Sequence, residues 1–133
     1  MRGRGDSGTS AIEFVIVAPV FLALIFLLVQ AGLFFYGRNV AETAAREGVS
    51  YLRLAGNNAD PDAFEPEAER VAIIYAERIG SLKGPTAEAS IDEANGRVSV
   101  VVTGTIASPG GTVEIRREAT ATLEQFRGDQ VIA

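Results

Sequence analysis

The stretch Phe14-Val15-Ile16-Val17-Ala18-Pro19-Val20-Phe21-Leu22-Ala23-Leu24-Ile25-Phe26-Leu27-Leu28-Val29 decides how the rest of this chain is read. After Gln30 the apolar character resumes from Ala31 to Tyr36, and no charged residue stands between Glu13 and Arg38. A helix rising about 1.5 Å per residue needs roughly 20 residues to cross a hydrocarbon core of about 30 Å. The run is long enough, and its apolar side chains lie all round the helix, as lipid demands. Pro19 removes one backbone hydrogen bond, which a membrane helix tolerates by kinking. Gln30 is one polar group able to bond to a neighbouring helix.

Two other readings of the run are weaker. A buried core helix needs a protein around it, and this chain has 133 residues in all, a large part of them in the run itself. A cleaved secretory peptide has an apolar region of about 7 to 15 residues ending at a small-x-small site. Here the run passes any such site into Leu33-Phe34-Phe35-Tyr36. A single-pass signal anchor is the reading that remains. Arg2 and Arg4 ahead of the run favour a cytoplasmic N-terminus, against Arg38 and Arg46 beyond it. The polar remainder is then expected on the periplasmic or extracellular side.

On the N-terminal side the run is entered through Gly8-Thr9-Ser10-Ala11-Ile12-Glu13-Phe14. Ser10-x-x-Glu13 has the form of a capping box, and a helix start favours a negative charge. The spacing allows a second role. Were the chain cut after Gly8, Thr9 would carry a new α-amine and Glu13 would be the fifth residue. Glu13 could then pair with the amine of a neighbouring subunit and set the register between them.

Gly8, Glu13-Phe14 and the early Pro19 resemble a class III prepilin signal. More particularly, Arg4-Gly5-Asp6-Ser7-Gly8 and Ala11-Ile12-Glu13-Phe14-Val15 are similar to the start of TadE-like proteins of tight-adherence (Flp) pilus systems. Ala41-Glu42-Thr43-Ala44-Ala45-Arg46-Glu47-Gly48-Val49 resembles the segment that follows the membrane helix in that family. The resemblance spans about the first 55 residues. It implies an inner-membrane minor pseudopilin that helps assemble the pilus. It also implies cleavage after Gly8 by a prepilin peptidase, and other pilins, pseudopilins and Tad assembly proteins as partners. Major pilins of such systems have Tyr after the Glu and are much shorter, whereas Phe14 stands here. That departure favours the minor role. The alternative is an unprocessed signal-anchored module that binds envelope components.

Beyond Tyr36, Val40, Ala41, Ala44, Ala45, Val49 and Leu52 recur every three or four residues and mark an amphipathic extension of the helix. The small residues Ala41, Ala44, Ala45 and Gly48 allow close approach of another helix or of the chain's own domain. Gly56-Asn57-Asn58 is expected to end this helix. Asp60, Asp62, Glu65, Glu67 and Glu69 lack the spacing of a calcium loop and suit the start of a second helix. Val71, Ile74, Tyr75, Arg78 and Ile79 suggest a short amphipathic helix ending at Gly80. After Gly84-Pro85 the period becomes two. Ala87, Ala89 and Ile91 alternate with polar residues, Asn95-Gly96 signals a hairpin, and Val98, Val100 and Val102 share a face. Past Pro109-Gly110-Gly111 a third alternating run holds Val113, Ile115, Ala119, Ala121 and Leu123.

The expected fold is α+β: a long membrane helix extended into a small exported domain with one short helix and a three-stranded antiparallel sheet. The expected divisions are a leader at 1–8, a membrane helix at 9–36, its extension at 37–56, the α+β domain at 57–126 and a tail at 127–133.

Composition limits the chemistry. A net charge of -5 with scattered basic residues gives no footprint for nucleic acid. With no His and no Cys, the usual general base, thiol nucleophile and commonest zinc ligand are missing. No catalytic residue, metal site, cofactor or small-molecule substrate is expected. Arg-Gly-Asp occurs at 4–6 and 127–129, but so short a motif recurs by chance and is given no receptor-binding role.

Overall fold

The computed structural model describes residues 6–54, 60–108 and 110–123. Outside them lie Arg2 and Arg4, Gly56-Asn57-Asn58, and the tail with its Arg-Gly-Asp. Helix α1 runs from Asp6 to Leu52, and a short 3-10 turn, Pro61–Phe64, leads into α2, Glu65–Ile79. Strands β1, Lys83–Asp92, β2, Arg97–Ser108, and β3, Gly111–Thr122, form one antiparallel sheet in the order β1-β2-β3. The fold is α+β, as the periodicities require.

The chain divides into two compact units, residues 1–34 and 35–133. In the first, the large apolar side chains of α1 are bare, with Phe14 72 % and Leu27 64 % exposed. Among the described residues this is one helix long and apolar enough to cross a membrane. Pro19 lies inside it.

The second unit holds the core. Val40, Ala41, Ala44, Ala45, Val49 and Leu52 of α1 are buried, as are Val98, Val100, Val102 and Ile106 of β2. Gly48 is where α1 comes closest to its neighbours. A Cβ there would stand 3.1 Å from Val100 Cγ1, 3.2 Å from the Ala68 carbonyl oxygen and 3.2 Å from Ala72 Cβ. The small-residue stripe is therefore occupied by the chain's own α2 and sheet.

Helix α2 packs through a face different from the one its larger residues suggest. Ala68, Ala72 and Ala76 are fully buried, whereas Ile74 is 40 % and Ile79 37 % exposed. Alanines four apart form a flat stripe that lets two helices approach closely, which branched side chains would prevent. The helix begins with Glu65 and Glu67 in its first turn and ends at Gly80, whose φ of 75° is left-handed.

Strand β1 is an edge strand, and edges invite unwanted pairing. Here α2 covers it. The Ala89 N–H donates to Glu69 Oε1 and the Ile91 N–H to Glu65 Oε1, both at 3.0 Å. The acidic stretch read as a helix start thus has a second task. We expect Glu65→Ala and Glu69→Ala each to cost about 1 kcal/mol. Amide exchange should accelerate at Ile91 in the first variant and at Ala89 in the second. Unchanged exchange at both would show that the carboxylates do not hold this edge.

The β1–β2 hairpin has a four-residue connection, residues 93–96. Asp92 accepts from the Asn95 backbone N–H at 3.2 Å and from its Nδ2 at 2.7 Å, and Gly96 adopts φ 61°. The Asn95 bonds hold the Asp92 carboxyl below the usual range. The Leu123 N–H donates to the Gly96 carbonyl at 2.8 Å, tying the end of β3 to this turn.

Candidate functional site

The residues singled out at the mouth of the apolar helix all lie within α1. That helix starts at Asp6, so Ser10 is inside it and does not cap it in the full-length chain. The capping reading of Ser10 and Glu13 is corrected accordingly. A single Gly costs a helix roughly 1 kcal/mol relative to Ala, which is too little for Gly8 to stop the helix. Gly8, Thr9, Ser10, Glu13 and Phe14 are all exposed, and a Cβ at Gly8 would meet nothing within 4 Å. Thr9 and Glu13, four residues apart, share one helix face. Gln30 is partly exposed, further along the same helix.

Ala41, Ala44, Ala45 and Gly48 line one side of α1 and are buried in the second unit. Beside them the structure builds a charged cluster that periodicity did not reveal. Arg117 on β3 donates through Nη2 to Glu42 Oε2 at 2.8 Å, and Arg46, one turn along α1, pairs with Glu42 Oε1. Arg117 has the same parity as Ile115, Ala119 and Ala121, so it faces inward. That parity was the available signal, and the apolar alternation of β3 passed over it. With about a third of its side chain exposed, Arg117 buries its stem while its head reaches Glu42.

The Arg117 hydrogen bond, then the charge of Arg46, pulls the Glu42 carboxyl below its ordinary value of 4.5. A depressed folded-state pKa adds stability above the unfolded value, and this is lost as pH falls through the folded one. We therefore expect the acid limb of the stability profile below about pH 4.5 to become shallower in Glu42→Gln, followed by circular dichroism. An unchanged limb would remove Glu42 from the acid response.

No group of three or more His, Cys, Asp or Glu residues able to hold a metal occurs among the described residues. The acidic residues of 60–69 include two, Glu65 and Glu69, engaged on the β1 edge. The distinctive surface of the chain is thus the exposed apolar helix with its polar entry. No curated protein and no solved structure matches the chain. One family model does match, that of the TadE-like proteins, over residues 8–50. Its bounds take in Gly8, Glu13, the whole apolar run and the stripe through Gly48, so the chain carries a TadE-like segment from the mouth of α1 almost to its end.

Proposed function

We propose that this protein is a minor pseudopilin that assists assembly of a tight-adherence pilus. It is anchored in the inner membrane by α1, with its C-terminal unit on the exported side. The observation that carries this reading is the coincidence of the TadE-like match with the bare apolar helix and its polar entry. Prepilin peptidase would cut between Gly8 and Thr9, with Glu13 and Phe14 completing its recognition element. The new α-amine of Thr9 would then stand one turn from Glu13, at the start of a shortened helix. Paired with the amine of a neighbouring pilin or pseudopilin, Glu13 would be neutralised at the membrane boundary and fix the register of lateral packing. Gln30 would add one interhelical hydrogen bond. The role is structural, and the partners are the membrane, the peptidase, other pilins and Tad assembly proteins.

The test is the intact mass of the membrane-purified protein from strains with and without the peptidase. A mass starting at Thr9 only where the peptidase is present is the expected result. One structural observation favours a second reading, an unprocessed anchored module: α1 runs unbroken through Gly8-Thr9. A full-length N-terminus in both strains would decide for it. The weak helix propensity of Gly8 makes local unwinding at the bond inexpensive, which favours the first reading.

A further inference from the structure

The second unit has two chemically different ends. At one end α1 enters at Gly37, where a Cβ would meet Ile115, Ile106 and Leu82. The same end holds the last turn of α2, the link from Gly80 to Lys83, and the β2–β3 turn, since Ile106 pairs with Val113. At the other end lie Leu52, the start of α2 and the β1–β2 turn.

Charge divides between the two ends. The far end carries Asp60, Asp62, Glu65, Asp92 and Glu93, against Arg53 and Arg97. The entry end carries Arg38, Arg78 and Lys83, against Glu77 and Glu114. Its turn residues Ser108, Gly110, Gly111 and Thr112 have no charge. Two branched apolar side chains, Ile79 and Val113, are each 37 % exposed there. Basic side chains and exposed apolar ones gathered at one end suit a surface of anionic headgroups over acyl chains. The acidic far end would be repelled by that surface. The apolar run ends at Tyr36, one residue before this end begins.

We propose that the entry end of the second unit docks on anionic lipid headgroups, with Arg78 and Lys83 at the phosphates and Ile79 and Val113 at the acyl boundary. This rests on the membrane reading of α1 and adds a defined face of the exported unit to it.

The protein has no tryptophan, so a single introduced one reports on its own surroundings. Full-length Ile79→Trp, Val113→Trp, Glu93→Trp and Leu24→Trp would be placed in vesicles of phosphatidylglycerol and phosphatidylcholine containing lipids brominated either near the headgroup or deep in the acyl chains. Quenching is expected at positions 79 and 113 by the shallow bromines, at 24 by the deep ones, and at 93 by neither. Adding Lys83→Glu with Arg78→Glu should lower the docking equilibrium read at 79 and 113 by about 25-fold or more, at roughly fivefold per basic side chain. Position 24 should not respond. Quenching at 24 without quenching at 79 and 113 would overturn the docking face and leave the anchor standing. Absence of quenching at 24 would overturn both. Equal quenching at 79 and 113 in vesicles of phosphatidylcholine alone would overturn the anionic basis of the contact.

Discussion

Gly48→Val is expected to lower the stability of the second unit by about 2–3 kcal/mol, the largest loss from any single glycine substitution in α1. The reason lies in what the new side chain would meet. Two of the three atoms within 3.2 Å of a Cβ at this position, the Ala68 carbonyl oxygen and Ala72 Cβ, are fixed to the α2 backbone. Only Val100 could turn aside. A valine would thus push α2 away from α1 and disturb the Ala68, Ala72 and Ala76 contact along its length. Gly37 makes the contrast. A Cβ there comes within 2.7 Å of Ile115 Cδ1, the end of a flexible side chain, and 2.9 Å of Ile106 Cγ2, a branch methyl carried directly on Cβ. Gly37→Ala should therefore cost less, about 1 kcal/mol, because Ile115 can turn aside and the gain in helix propensity offsets part of the strain at the Ile106 methyl. Urea unfolding of the full chain in detergent micelles checks both. Equal effects at the two positions would show that backbone proximity is not what sets the cost.

Val100→Ala is expected to cost about 2–3 kcal/mol. Val100 is fully buried in the central strand, between Ala89 on β1 and Ala119 on β3. Neither alanine can fill the space of two lost methyl groups, and α1 lies directly over it at Gly48. The transfer loss of about 1.6 kcal/mol is then increased by a cavity that cannot collapse. In the double variant Gly48→Val with Val100→Ala the losses should fall short of their sum by about 1 kcal/mol, because the valine enters the vacated space. Full rescue is not expected, since the Ala68 carbonyl stays in the way. Strict additivity would mean that the two positions do not share this contact.

The parts of the fold legible in the sequence were those with one dominant period. The uninterrupted apolar run gave α1, the stripe from Val40 to Leu52 gave its buried face, and the alternation of Val98, Val100 and Val102 gave the inner face of β2. The reading failed where size mattered more than hydrophobicity. On α2 the isoleucines drew attention, but helix-to-helix distance selected Ala68, Ala72 and Ala76. It also failed where a polar side chain had a task on the inner side. Arg117 was lost among apolar neighbours, and Glu65 and Glu69 were read as helix-start charges when they also close a strand edge. Such roles depend on partners 20 to 75 residues away, which no local pattern encodes. At the entry to the apolar helix the capping box was misplaced, because α1 starts earlier, at Asp6.

The sealing of β1 by α2 limits how copies of this fold can multiply. Sheet-continued growth requires two open margins, and a chain with one can at most be terminated by a second. Joining two copies at β3 by a twofold axis would also turn their α1 segments, residues 35–52, end for end. The sheet therefore cannot grow by continued edge addition, and order in any extended array of these subunits has to be carried by other surfaces.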